Sequence, residues 1–151
     1  MSNESRVIAI PDELDTFVSD WTTCKILASA SEELFPGGMS ATLLYFAPGQ
    51  GHARHNHPDA EQIIFIISGH ASQIVELTEE QGGEKIEKVI GPGSLVHIPK
   101  GAYHSTFCEG WEPVKILALY SPGGSEVQSR PNSGFRSVAP EENPWGGHHF
   151  G

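Results

Sequence analysis

The stretch that decides the fold runs from Gly49 to Gly69 and reads GQGHARHNHPDAEQIIFIISG. Its first half carries His55 and His57, two positions apart, and its second half is a run of isoleucine and phenylalanine. Side chains at i and i+2 of a β-strand point to the same face, so the two imidazoles can converge on one point. A turn at Pro58 then returns the chain as an apolar strand. Because neutral histidine is the commonest metal ligand in proteins, the stretch predicts a metal site built on strands.

A second stretch, GSLVHIPKGAYHSTFC from Gly93 to Cys108, offers a third imidazole. Here His104 follows a predicted turn at Pro99–Gly101 and can reach the same point from another strand. Three nitrogen ligands and one oxygen ligand, with coordination positions left open, are typical of a catalytic rather than a sealed structural metal site. We therefore expect one divalent transition-metal ion, and these ligand types leave its identity open among zinc, nickel, iron and manganese.

The remainder of the chain reads as short strands between turns. The 151 residues include 17 glycines and 11 prolines, which favours frequent chain reversal. The predicted strands are Cys24–Ala28, Ser40–Phe46, Gln62–Ile67, Ser72–Leu77, Lys85–Ile90, Ser94–Ile98, Ser105–Cys108 and Val114–Tyr120. Many short strands without alternating helices predict an all-β sandwich or barrel. Apolar residues at helical spacing in Pro11–Trp21 predict one short helix.

Together the two histidine stretches resemble the two motifs of the cupin superfamily. The first looks like G-x5-H-x-H-x3/4-E-x6-G and the second like G-x5-P-x-G-x2-H-x3-N. The resemblance covers Ser40–Pro122 and implies an all-β jelly-roll barrel, the cupin double-stranded β-helix, with a metal inside. The length and the lack of an internal repeat or linker predict a single domain over residues 1–151, with a barrel core at about 40–122. An N-terminal strand or helix arm at 1–35 and an irregular C-terminal arm at 123–151 flank this core. Cupins of this size commonly pair, so the resemblance also implies a homodimer.

The fourth ligand is where the chain departs from the first motif. Counting back seven positions from Gly69 reaches Gln62, where most cupins carry glutamate, whereas Glu61 fits only the shorter spacing after His57. Adjacent residues of a strand face opposite ways, so only one of the two can point inward. We expect Gln62 to be the ligand, with Glu61 as the alternative. A neutral amide leaves the charge of the ion uncompensated, which favours Lewis-acid chemistry over oxygen activation.

A metal site with glutamine resembles that of small bacterial cupins related to KdgF, which linearises unsaturated uronates. Tyr120 matches the aromatic residue of the final strand in that group, whereas Ala118 stands where the group carries an acid. The resemblance implies a metal-dependent isomerase, lyase or hydrolase acting on a small oxygenated substrate such as a sugar acid or keto/enol compound. The alternatives are an Fe(II)-dependent dioxygenase and a non-catalytic metal-dependent binding protein. Candidate catalytic residues are Glu61, His97 and Tyr120.

Charge and composition limit the possible partners. The net charge of -10 argues against nucleic acid and anionic membranes. It does not exclude a small acidic substrate, because a bound cation reverses the field inside a pocket. Two cysteines, Cys24 and Cys108, cannot establish a disulfide framework, which favours a reducing compartment. The start of the chain lacks the basic and apolar segments of a signal peptide, and no apolar stretch approaches the roughly 20 residues that span a bilayer. We expect a soluble cytoplasmic protein with a small-molecule ligand.

Overall fold

The computed structural model describes residues 7–29, 38–124 and 134–142. Over these residues the chain forms eleven β-strands and three single-turn 3-10 helices. The strands are β1 Thr16–Val18, β2 Thr23–Ala28, β3 Ser40–Phe46, β4 Gly51–His55, β5 Glu61–Ser68, β6 Ala71–Glu76, β7 Lys85–Ile90, β8 Leu95–Ile98, β9 Tyr103–Cys108, β10 Val114–Ser121 and β11 Arg136–Val138. The 3-10 helices are Pro11–Glu13, Glu79–Gln81 and Pro140–Glu142.

The strands form two antiparallel sheets that enclose the core. The larger has the order β11-β1-β2-β3-β10-β5-β8 and the smaller the order β4-β9-β6-β7. Strands β3, β6 and β10 alternate strictly between buried and partly exposed residues, as expected when one face of a sheet packs on a core and the other faces outward. The predicted all-β jelly-roll is confirmed.

The core lies between the inner faces of the two sheets. Its largest fully buried apolar side chains include Phe46, Ile66, Ile98 and Ile116, which come from four different strands of the larger sheet. Each such side chain contributes about 1.5–3 kcal/mol through removal of apolar surface from water. The interior also holds buried polar side chains, among them His57, Gln62 and His104.

A glycine of the first motif, Gly69, is required by the turn between β5 and β6. Its φ of 77° lies in the left-handed region that side chains disfavour. A Cβ atom at this position would also overlap the backbone oxygen of Pro113. The turn therefore brings two segments of backbone closer than any larger residue permits.

The predicted strands agree with the structure to within two residues at every end, and Ser40–Phe46 and Lys85–Ile90 have the predicted bounds. Three further strands, β1, β4 and β11, were not among those predicted. The short β11 pairs with β1, so the C-terminal arm is not irregular throughout its described part. Residues 125–133 and 143–151 of that arm lie outside the described residues.

The predicted helix over Pro11–Trp21 is wrong. One 3-10 turn occupies Pro11–Glu13, and Thr16–Val18 then forms β1 between β2 and β11. Pairing with two neighbouring strands satisfies the backbone hydrogen bonds of this segment and outweighs a modest local helix preference.

Among the described residues, no helix has the length and apolarity needed to span a membrane.

Candidate metal centre

Three histidine side chains meet inside the barrel. His55 is the last residue of β4, and its register partner on the paired strand β9 is His104, which brings their rings to a centroid distance of 4.1 Å. His57 lies two residues beyond β4, in the connection to β5, and not on the strand as predicted. Nitrogen atoms of the three rings all lie within 4.8 Å of one another, a group that could hold a metal ion.

Backbone hydrogen bonds fix which nitrogen atom His55 and His104 offer to this centre. Nδ1 of His55 lies 2.6 Å from the carbonyl oxygen of Ala53, and Nδ1 of His104 lies 3.0 Å from that of Ala102. A carbonyl oxygen only accepts, so each Nδ1 carries the proton and each Nε2 keeps its lone pair. Such backbone partners are typical of metal-binding histidines, whose orientation they fix.

The donor atoms fit a bound cation. Nε2 of His104 is buried and has no hydrogen-bond partner among the described residues, although leaving such an atom unpaired costs about 1–3 kcal/mol. The buried Oε1 of Gln62 likewise has no such partner. An ion held between imidazole nitrogens and an amide oxygen would satisfy both atoms.

Burial keeps the histidine rings neutral. It is the main reason that the pKa of His104 falls to about 3 and that of His57 to about 4, and it also lowers the pKa of His55. Repulsion from neighbouring histidines lowers the first two further, whereas interaction with Gln62 opposes the lowering at His57. Only the neutral ring binds a metal, so near pH 7 these rings have the protonation state that a ligand needs.

Glu61 and Gln62, the two alternatives for the fourth ligand, face opposite ways on β5. The side chain of Gln62 is buried and lines the cavity that holds the histidines. Glu61 is exposed, and its carboxylate accepts a hydrogen bond from Nε2 of His97 at 3.2 Å, on the outer face of the same sheet. Among the three catalytic candidates, Tyr120 lines the cavity, whereas Glu61 and His97 lie apart from the histidine cluster, each about half exposed.

The cavity beside the cluster is small and partly open to solvent. Apolar and polar side chains both line it. Its described lining comprises Leu44, Phe46, His52, His55, Gln62, Ile64, His104, Thr106, Ile116 and Tyr120. This lining contains no carboxylate. The ring of Tyr120 stands edge-on to His57, with ring centres 5.3 Å apart.

Two side chains of the site have no strong signal in the sequence. The ring of His52 stacks between Trp21, at 4.1 Å and 21°, and His55, at 3.5 Å and 23°. Burial, assisted by the three neighbouring histidines, lowers the pKa of His52 to about 3. His52 is close to the motif in sequence, but Trp21 lies far from it and is brought there only by the pairing of β2 with β3 and β1.

A jelly-roll of two antiparallel sheets, with a histidine cluster in its interior that could hold a metal ion, is the architecture of a cupin. The chain matches the cupin domain family over residues 42–120, more than half of its length, and belongs to that family. Among curated proteins, it is 30% identical over 115 residues to glucose-6-phosphate isomerase of Thermococcus kodakarensis, a match that spans 76% of this chain and 57% of the relative. The chain spans about half the length of the curated relatives it matches.

Solved structures give the same fold. KdgF from Halomonas superimposes with a TM-score of 0.58 at 20% identity, covering 73% of this chain and 86% of KdgF. Oxalate decarboxylase from Bacillus subtilis superimposes with a TM-score of 0.59 at 19% identity, covering 81% of this chain and 28% of that enzyme. The similarity to KdgF and to the decarboxylase therefore establishes the barrel and not the reaction.

Proposed function

We propose that this protein is a metal-dependent cupin enzyme that performs non-redox chemistry, as an isomerase, lyase or hydrolase. The substrate is a small oxygenated compound such as a sugar acid or a keto/enol compound. One observation carries the proposal: the donor groups are three neutral imidazoles, two of them buried, and a buried amide, at a cavity whose described lining has no carboxylate. A cation held there keeps its positive charge, which favours binding of an electron-rich substrate oxygen.

In this proposal, His55, His57, His104 and Gln62 hold one divalent ion, which is zinc, nickel, iron or manganese. When bound, such an ion supplies a Lewis acid that polarises a carbonyl or hydroxyl oxygen. The apolar side chains of the lining would limit water around the substrate, and the backbone bonds to Nδ1 of His55 and His104 keep these two rings oriented.

Tyr120 is the proposed proton-transfer residue. It lines the cavity and stands beside His57, so its phenol is near the group that would bind substrate. Glu61 and His97 are half exposed and bonded to each other, so the proposal gives them no part in the chemistry.

Metal analysis tests the binding half of the proposal. We expect protein purified without oxygen to contain about one equivalent of a divalent transition metal, measured by inductively coupled plasma mass spectrometry. His104→Ala should lose most of this metal. His97→Ala is the matched control, because it removes an exposed histidine of the outer face and should keep the metal. Wild-type protein that binds no transition metal would refute the metal centre.

Turnover assays test the chemical half. Unsaturated uronates and β-keto acids are incubated anaerobically with zinc- or nickel-loaded protein, and we expect conversion that Tyr120→Phe strongly reduces. A strict requirement for Fe(II) together with oxygen would instead identify a dioxygenase. Tight binding of a ligand without any conversion would identify a binding protein, and either result contradicts the proposal.

We also propose that the protein is a cytoplasmic homodimer that associates through the outer face of the larger sheet. A row of apolar side chains crosses this face on four adjacent strands: Leu95, Phe65, Leu117 and Leu43. Leu95 is 59% exposed and Phe65 38% exposed, and contiguous apolar surface of this kind marks interaction sites. Two such faces can pack on each other as the sheets of a β-sandwich do.

Charge favours one orientation of this dimer. Glu61 and Lys115 lie at opposite ends of the face, because Glu61 pairs with Ser121 at one end of β10 and Lys115 with Ser68 at the other. A two-fold axis in the plane of the face and perpendicular to β10 reverses the strand direction. Lys115 of one protomer then meets Glu61 of its partner, whereas an axis parallel to β10 would bring like charges together.

A further inference from the structure

The column of stacked rings formed by Trp21, His52 and His55 extends the metal centre beyond its donor groups. The planes of Trp21 and His52 are inclined by 21° and those of His52 and His55 by 23°, with ring centres 4.1 Å and 3.5 Å apart. Of the three, His55 is the proposed ligand. Trp21 lies in the turn between β1 and β2, outside residues 42–120 that match the cupin domain family.

Both terminal segments of the described chain hold Trp21 in place. The ring of Phe135, which is buried and directly precedes β11, lies nearly perpendicular to that of Trp21, with ring centres 5.6 Å apart and planes inclined by 80°. The ring centre of Phe46, a core residue, lies 6.1 Å from that of Trp21. The backbone N–H of Trp21 also donates to Oγ of Ser19, which closes the turn. Trp21 is therefore a supported surface against which His52 can rest.

Stacking restricts a rotation that would take Nε2 of His55 out of the cluster. Its ring is held at the edge by the bond from Nδ1 to the oxygen of Ala53 and on one face by His52. Rotation about the Cβ–Cγ bond would break that bond and move Nε2 away from the point shared with His57 and His104. Trp21 packs on the opposite side of the stack and limits the movement of His52.

We propose that Trp21 and His52 are positioning residues that hold His55 in its metal-binding orientation. By this contact, the segments that flank the family domain become part of the metal centre. The inference rests on the proposed function, since it requires that a metal binds. It also makes Trp21 a fluorescent reporter of the centre, because a cation on His55 changes the electrostatic environment of the stacked indole.

The test is titration of metal-free protein with Zn²⁺ in the presence of a competing chelator, followed by both affinity and tryptophan fluorescence. We expect Trp21→Leu, which keeps an apolar side chain but loses the flat ring, to weaken Zn²⁺ binding by about 10- to 100-fold, as changes in the partners of metal ligands do. His52→Gln should have a similar effect. Trp21→Phe should restore affinity to within about threefold of wild type by rebuilding the stack, while abolishing most of the Zn²⁺-dependent fluorescence change.

Trp111→Phe is the matched control, because Trp111 is 88% exposed and distant in sequence from the stack. It should change neither the affinity nor the fluorescence response. If wild type, Trp21→Leu and His52→Gln bind Zn²⁺ equally well, the positioning role is wrong while the metal centre stands. If wild type itself binds no Zn²⁺, the proposed function fails. Should Trp21→Leu not fold, as judged by circular dichroism, the comparison of His52→Gln with Trp21→Phe decides the question.

Discussion

The two faces of strand β5 differ in chemistry although their residues alternate along one segment. Toward the interior, Gln62, Ile64 and Ile66 are at most 4% exposed, and the first of them lines the cavity of the histidine cluster. Toward the outside, Glu61 is bonded to His97, and Phe65 belongs to the apolar row. The comparison teaches that strand register, more than residue type, assigns a role here, because a shift by one residue would exchange the two sets.

The largest difference between the two faces should be in stability. Ile66 is fully buried and Ile67, its neighbour, is 43% exposed. We expect Ile66→Ala to lower the free energy of unfolding by about 2–5 kcal/mol, because it leaves a cavity in the core. The matched change Ile67→Ala should lower it by less than about 1 kcal/mol. Urea denaturation of both variants measures the difference, and equal losses would show that the burial of β5 is misassigned.

The buried histidines should make the metal-free protein sensitive to acid. His52 and His104 have a folded pKa of about 3, below the value of about 6.5 in an unfolded chain, so the unfolded state takes up protons first. The stability that these neutral rings contribute to the folded state is fully present above about pH 6.5. It should be lost as the pH falls toward 3, at about 1.4 kcal/mol per pH unit for each ring. Denaturation of metal-free protein between pH 7 and 4.5 measures how steeply the free energy of unfolding falls with pH. His104→Gln should make this slope smaller, and a variant with the same slope as wild type would contradict the prediction.

The fourth ligand offers a direct comparison of the two faces. We expect Gln62→Leu to weaken Zn²⁺ binding by about 10- to 100-fold, because it removes an oxygen donor from the cavity. Glu61→Leu changes the adjacent residue on the outer face and should leave the affinity within about threefold of wild type. Competition with a chelator measures both constants. A larger loss for Glu61→Leu would reverse the assignment of the two residues.

The smallest effect should come from the charges at the two ends of the outer face. We expect Lys115→Glu to weaken self-association by about fivefold, since an exposed charge pair contributes about 1 kcal/mol or less. Adding Glu61→Lys in the same chain should restore most of the association, because the exchanged charges again face each other across the two-fold axis. Sedimentation equilibrium measures both variants. A monomeric wild type, or a failure of the double variant to recover, would contradict this dimer.

Much of the barrel could be predicted because its signals are local. Turn residues and apolar runs marked strands such as β3 and β7 with the observed bounds. The spacing of His55, His57 and His104 likewise indicated that three imidazoles meet, and their nitrogens do lie within 4.8 Å of one another. The failure at Pro11–Trp21 has a physical cause, since β1 exists only because β2 and β11 lie on either side of it.

The sequence by itself determined the family, the strand-rich barrel and the three histidines, because alternation, turns and motif spacing act within a few residues of one another. Only the tertiary structure decided that Gln62 faces the cavity while Glu61 pairs with His97, and that Trp21 stacks on His52. Both outcomes depend on the register between strands that are distant in the chain. That register follows from how the whole set of apolar side chains packs, which no single segment encodes.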